Sequence, residues 1–319
     1  MSDVPVRDAA TVMLVRDAAA GTLGLDDPGG LEVFMLRRNL KSDFVGGAYV
    51  FPGGGVDDHD RHVDLDPVCQ GRSDADASAQ LGIDSGGLAF WVAAIRESFE
   101  EAGVLLAYDA DGDMVRLDDP AVIARFAEHR RSVDSGERRL IEVCSDERLR
   151  LAVDTMHYFS HWITPEGPTR RYDTRFFVAR APDAQVPLHD DHEVIANLWV
   201  RPSEALARHR AGEFEMIFPT IRTLMSFERF STADELLTAA ASVGDVPAIL
   251  PRIVVDEGGG LRILLPGDPG YDDLVSAEIP AGIPLTALAA QAAADRADPA
   301  DRADRADRGG GPDAEAESP

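Results

Sequence analysis

Apolar positions along the chain fall into short blocks with two different periods. Ala9 to Val15 is a nearly continuous apolar run holding one Thr, the pattern of a buried strand. The turn cluster Asp26-Asp27-Pro28-Gly29-Gly30 separates it from a second run, Leu31 to Leu36, so the two read as a hairpin-like pair. Ala48 to Phe51 reads as a third short strand, stopped abruptly by Pro52-Gly53-Gly54-Gly55. From Asp57 to Gly87 the chain is rich in Asp, Ser and Gly without clear periodicity, which predicts a surface insertion. At Leu88 the period changes. Phe90, Trp91, Ala94, Ile95, Phe99 and Ala102 recur at helical spacing, and Gly103 suits a C-cap. Val104 to Tyr108 reads as a strand following at once.

Asp119 to Glu128 and Gly136 to Val143 look helical and interrupt the strand pattern. Strand-like runs return at Met156 to Ile163, Thr174 to Ala179 and Ile195 to Val200. Helices are expected over Pro202 to His209, Phe218 to Phe230 and Ala233 to Ala241. A last strand pair, Ile253 to Val255 and Ile263 to Leu265, flanks Glu257-Gly258-Gly259-Gly260. After Ala294 the chain turns to Asp-Arg-Ala repeats and an acidic end, a composition expected to be disordered. The layout is one α+β domain over 1–231, with an insertion at 57–87 and a helical insertion at 119–150. An extension of unassigned role (232–293) and a low-complexity tail (294–319) follow.

Composition narrows the function classes. Against 31 Lys and Arg stand 57 Asp and Glu, a net charge of −26. A surface this acidic repels a nucleic-acid backbone, although a bound divalent cation can still invert the field for a small anionic substrate. Cys69 and Cys144 are the only cysteines, too few for a disulfide scaffold. With no long apolar run and no basic or apolar leader at Met1 to Pro5, no membrane association and a cytoplasmic location are expected.

The candidate chemistry lies on the predicted helix. Glu97, Glu100 and Glu101 stand at i, i+3 and i+4, so they share one face, while Ile95, Phe99 and Ala102 face a core. A solvated acidic face is the common meaning of such spacing. The sharper meaning is a site for a hard divalent cation, which takes oxygen ligands of this kind. The upstream Phe51-Pro52-Gly53-Gly54-Gly55 segment and the flanking Arg96 and Gly103 favour the second.

These residues resemble the Nudix hydrolases. Arg96, Glu97, Glu100, Glu101, Gly103 and Val104 match the second half of that family's signature, with Ser98 where an apolar residue is usual. Pro52-Gly53-Gly54-Gly55-Val56 matches the first half, led by Gly54. Forty-one residues separate Gly54 from Arg96 where the family pattern has 13. The glutamate between the halves therefore has no clear counterpart, although Asp60 falls at its offset. A long insertion here is similar to the branch that includes the mammalian peroxisomal coenzyme A diphosphatase. Gly47-x-x-x-Phe51-Pro52-Gly53-Gly54 resembles the tail of a motif of coenzyme A-cleaving members, with Asp43 replacing its upstream arginine.

The resemblance implies a mixed sheet between helices (an α/β/α sandwich with insertions) and Mg²⁺ or Mn²⁺ as cofactor. It implies that Glu97, Glu100 and Glu101 hold metal together with a backbone carbonyl of Gly53 or Gly54, and that Arg96 orients a glutamate. The implied substrate is a small nucleoside diphosphate derivative, coenzyme A or an acyl-coenzyme A first, with ADP-ribose as a rival. A homodimer is the assembly considered. Glu193, beside His189 and His192, is the candidate loop base, against a plain solvated acidic loop. Arg170, Arg171, Arg175 and Phe51 are the substrate-binding candidates, the arginines either reaching phosphates or pairing with surface acids. His157 and His161 show no zinc-ligand spacing. A non-catalytic Nudix-fold module is the alternative of a different class, and the retained carboxylates count against it.

Overall fold

One strand organises the sheet. In a computed structural model describing residues 4–20, 29–39, 46–61, 65–187, 194–255 and 261–273, β1 (Val6–Ala18) pairs with three neighbours. Asp43, His189, His192, Glu193 and the Asp-Arg-Ala tail lie outside the described residues. After β1 come β2 (Gly30–Arg38), β3 (Tyr49–Val50), β4 (Gly53–Gly55), α1 (Asp74–Leu81) and α2 (Leu88–Ala102). Next are β5 (Ala107–Tyr108), α3 (Pro120–Asp134), α4 (Leu140–Glu147) and β6 (Arg150–Leu151). The chain then returns to the sheet with β7 (His157–Ile163), β8 (Arg171–Arg180) and β9 (Val194–Val200). It ends in α5 (Pro202–Arg210), α6 (Phe218–Phe227), α7 (Ala233–Ala241), β10 (Ala248–Ile249) and the pair β11 (Arg252–Val255) and β12 (Leu261–Leu264).

The sheet is mixed, in the order β10-β7-β8-β1-β2-β3, with β4 also paired to β1 and β9 to β2. β1 runs parallel to β8 from Val6 through Val15, while its other edge is shared between β4 and β2. A central strand of this kind needs cover on both faces, which explains its unbroken apolar run. Alternate residues sort accordingly. Ala10, Val12 and Leu14 join the core under α2, whereas Met13 and Val15 join the core under α5, α6 and α7. The expected α/β/α layering is therefore present. Among the described residues no helix is long and apolar enough to cross a membrane.

The segment 57–87 is not the plain surface loop expected. Ser73 opens α1 with a capping box to Asp76, and Asp60, Leu65, Cys69, Ala77 and Ser78 are buried. Asp74 of α1 accepts from the backbone N–H groups of Gly86 and Leu88, capping the start of α2 from outside, since Gly87 has no side chain to do so. At the other end Gly103 adopts φ +67 and its N–H reaches the Phe99 carbonyl, closing α2 as predicted. Phe90, Trp91, Ile95 and Phe99 are buried on α2, each such side chain contributing about 1.5–3 kcal/mol.

Other expected bounds change for local reasons. Gly53–Gly55 does not merely stop a strand; it is itself β4, because bare backbone can lie directly against β1. Val104 to Leu106 is buried without being a strand, as Gln185 serves its backbone by donating to Leu105 O and accepting from Leu105 N. The helix expected from Gly136 begins at Leu140, after Gly136 turns at φ +71. The helix expected to Phe230 ends at Phe227. A division at 231 does not separate the described fold, since Ala233, Leu236 and Ala240 of α7 belong to the core below the sheet and β10 extends the sheet beyond β7.

Candidate functional site

The C-terminal half of α2 meets β4 at one end of a cleft of about 440 Å³. Glu97, Glu100 and Glu101 all line it, together with Gly53, Gly54 and Gly55. Arg96 ties the helix to the strand. Its Nε and one terminal nitrogen donate to the two oxygens of Asp60 at 2.9 Å, and that same nitrogen reaches Gly55 O at 2.8 Å. The other terminal nitrogen donates to Glu97 at 2.9 Å and Glu100 at 2.8 Å. Burial alone would lower the guanidinium pKa, yet the carboxylates around it hold it well above its ordinary value. Burial leaves the Asp60 pKa raised although Arg96 pulls it down. Two hydrogen bonds from a group that stays charged support the ionised pair. Asp60, which falls at the offset of the signature's missing glutamate, is thus the residue that the fold brings against Arg96.

The carboxylates are not uncompensated, as the bare spacing suggested. Arg96 holds Glu97 and Glu100, and the Gly53 N–H donates to Glu101 at 2.9 Å. Burial first, and then the neighbouring Glu97, push Glu100 up to about 8 despite Arg96. Among the described residues no three His, Cys, Asp or Glu side chains converge on one point that could hold a metal ion. The donor set nevertheless fits a hard divalent cation: all oxygen, partly buried, with more negative charge than one guanidinium neutralises. Gly54 fits it too. A Cβ there would stand 2.4 Å from Glu97 Oε1, so only glycine lets that carboxylate lie against the strand.

Away from the glutamates the cleft becomes apolar. Trp162, Phe176, Ile217, Phe218, Pro251 and Ile263 line it, with Arg38, Arg170 and Tyr172 adding polar groups. Phe51 is a buried residue of the cleft lining. The arginine cluster is split by the strand period. Tyr172, Thr174 and Phe176 of β8 face the cleft, so Arg171 and Arg175 are not among its lining residues. Arg171 donates from Nε to Thr164 O, and buried Arg175 pairs with Asp173 while lying 4.6 Å over the Phe90 ring. Only Arg170 of the three reaches the cleft.

His161 binds Asp173 rather than forming a metal cluster, and burial lowers the His157 pKa. Burial would raise Asp173, but the His161 hydrogen bond and the Arg175 charge more than offset it. Residues that sequence reasoning missed are Thr11, Arg38 and Tyr172. Their signal was alternation along β1, β2 and β8, legible only once the strand register is known.

Comparisons with known proteins agree with this architecture. The NUDT19 Nudix domain family matches residues 73–226. The chain is 30% identical over 312 residues to the acyl-coenzyme A diphosphatase NUDT19 of Gallus gallus, covering 84% of this chain and 80% of that protein. It is 30% identical to the Homo sapiens protein of the same name, covering 76% and 72%. A solved Nudix hydrolase from Alicyclobacillus acidocaldarius, 24% identical, superposes with a TM-score of 0.59 over 76% of this chain and 99% of that one, which establishes the fold. With Arg96, the three glutamates and the glycine strand in the arrangement described, the chain belongs to the Nudix hydrolase family, in its NUDT19 branch.

Proposed function

We propose that this Nudix diphosphatase cleaves the diphosphate linkage of coenzyme A or an acyl-coenzyme A, yielding 4′-phosphopantetheine species and adenosine 3′,5′-bisphosphate. The observation that carries the reading is one cleft lined both by the three glutamates and by apolar side chains such as Trp162, Phe176 and Phe218, as a diphosphate bearing an apolar arm requires. The diphosphatase relatives at 30% identity support it.

A divalent cation requirement comes with the family, and Mg²⁺ or Mn²⁺ is our assignment. Glu97, Glu100 and Glu101, with a carbonyl of Gly53 or Gly54, are the residues that would hold it. When bound, such an ion neutralises diphosphate oxygens and lowers the pKa of coordinated water. Arg96 keeps Glu97 and Glu100 in place through Asp60 and Gly55. Arg38 and Arg170 supply positive charge on the cleft wall for substrate phosphates. Glu193, which directly precedes Val194 in the sequence, remains our candidate base. We place the enzyme in the cytoplasm, acting on a small molecule rather than nucleic acid, with the segment beyond 231 completing the cleft through Pro251 and Ile263.

The test is a panel of coenzyme A, an acyl-coenzyme A and ADP-ribose with Mg²⁺ or Mn²⁺, with products identified by mass. Coenzyme A species should turn over fastest. Rapid ADP-ribose cleavage without coenzyme A turnover would sink the substrate assignment.

A further inference from the structure

We propose that the strand pair β11–β12 forms the wall that receives the acyl group of an acyl-coenzyme A, with Ile263 as the residue that selects for it. The inference rests on the coenzyme A reading and deepens it, from the diphosphate to the far end of the substrate's arm.

Ile263 lines the cleft and is only partly buried, so its side chain is open to a ligand there. Pro251, just before β11, lines the cleft as well. Neither side chain carries a hydrogen-bonding group, so this wall gains only by being covered with apolar surface. The strand pair is firmly attached. Ile253 lies directly opposite Ile263 and is 2% exposed, and Leu264 is buried beside it. Tyr271 donates its hydroxyl to Leu250 O at 2.7 Å, and the Arg252 guanidinium lies 4.4 Å over its ring. Tyr271 thus grips the residues on both sides of Pro251.

The sheet register says which part of the substrate the wall meets. Ile249 pairs with Trp162, Trp162 with Thr174, Thr174 with Ala9, and Ala9 with Gly55, one row across β10, β7, β8, β1 and β4. Four strand spacings put Ile249 about 19 Å from Gly55. Glu97 lies against Gly54 beside one end of that row, and Pro251 follows Ile249 by two residues at the other. A diphosphate held at the glutamates therefore cannot touch this wall, whereas an extended arm leaving the diphosphate can. In an acyl-coenzyme A that arm ends in a thioester carrying an alkyl chain, the apolar group that Pro251 and Ile263 suit. The nucleotide half carries a charged phosphate and a polar base, which these two side chains cannot satisfy. The wall comes from a part of the chain outside the 73–226 family match.

Calorimetry on the full chain with chelator present reads binding without turnover. Octanoyl-coenzyme A should bind wild type about tenfold tighter than coenzyme A, because part of its alkyl chain is covered. Ile263→Ala should remove most of that advantage, weakening octanoyl-coenzyme A about fivefold and leaving coenzyme A within about twofold. Ile263→Val takes away a single methylene, so it should lose about twofold on octanoyl-coenzyme A alone and melt as wild type does. A loss graded with side-chain size and confined to the acylated ligand separates contact from collapse of the strand pair. Equal weakening of both ligands, as when the nucleotide half occupies this wall, overturns the proposal. Wild-type protein that binds octanoyl-coenzyme A no tighter than coenzyme A overturns it too. Absence of turnover of either ligand with Mg²⁺ defeats the substrate reading instead, and the binding comparison still decides the wall.

Discussion

Asp60 and Arg96 face each other through two parallel 2.9 Å hydrogen bonds, although 36 positions separate them in the chain. Both are buried, and Arg96 passes the constraint on to Glu97 and Glu100. Asp60→Asn keeps the shape and removes the charge. Breaking a buried pair of this kind costs about 3 kcal/mol, and loosening the support of the carboxylates proposed to hold metal should cost on the order of 10–100-fold in activity. Urea denaturation and steady-state rates should show both losses. A variant with wild-type stability and rate would mean that the pair does not position the helix.

The same pair shows what the sequence could and could not reveal. The carboxylate helix was legible because its apolar stripe and Gly103 are local signals, and the unbroken run in β1 correctly implied a strand buried on both faces. Asp60 stood at the right offset, but no local pattern says that a segment with two short helical stretches folds back to bring it to Arg96. α1 is short and weakly amphipathic, so its apolar pattern did not reveal it, and its Ser73 to Asp76 capping box is seen only in the structure. β4 is all glycine and carries no strand propensity, so its pairing came from β1 rather than from itself. Arg171 and Arg175 were misplaced because a strand turns alternate residues away, and the register that decides which is a tertiary property.

Glu100 makes the metal-free protein sensitive to pH. Its folded pKa of about 8 lies above the ordinary 4.5, so the fold favours its neutral form. The resulting stabilisation is fully present below about 4.5 and is lost as pH rises through about 8. Glu100→Gln keeps the neutral shape at every pH. With chelator present, its melting temperature relative to wild type should rise steadily from pH 5 to pH 8.5. With Mg²⁺ present, its rate should drop at least about 100-fold, since a proposed ligand is gone. A pH-independent difference in melting temperature would contradict the buried, charge-crowded state assigned to Glu100.

Two adjacent glycines should fail in different ways. A Cβ at Gly54 meets first the flexible end of Glu97, at 2.4 to 2.7 Å. Gly54→Ala should therefore displace that carboxylate, weakening Mn²⁺ binding about 10–100-fold with little change in stability. A Cβ at Gly53 meets the Ala10 carbonyl at 2.6 Å and the Thr11 Cα at 2.7 Å. That is backbone, which cannot swing aside, so Gly53→Ala should cost about 1–3 kcal/mol and disturb the β1–β4 ladder. Manganese titration and thermal melts on the two variants separate the effects; identical profiles would refute the distinction.

Arg170 and Arg175 test the strand register functionally. Arg170 is an exposed residue on the cleft wall, so Arg170→Ala should raise KM about tenfold, the scale of one charge-assisted hydrogen bond, and leave the melting temperature alone. Arg175 is buried beneath α2, paired with Asp173 and stacked on Phe90. Removing it leaves Asp173 with His161 as its remaining partner and empties the space over the ring. Arg175→Ala should thus cost about 3 kcal/mol while KM stays near wild type, because nothing on its face of β8 lines the cleft. The reverse outcome, a KM effect at Arg175 and a stability effect at Arg170, would require β8 to present its other face to the substrate. That would also move Thr174 and Phe176 out of the cleft.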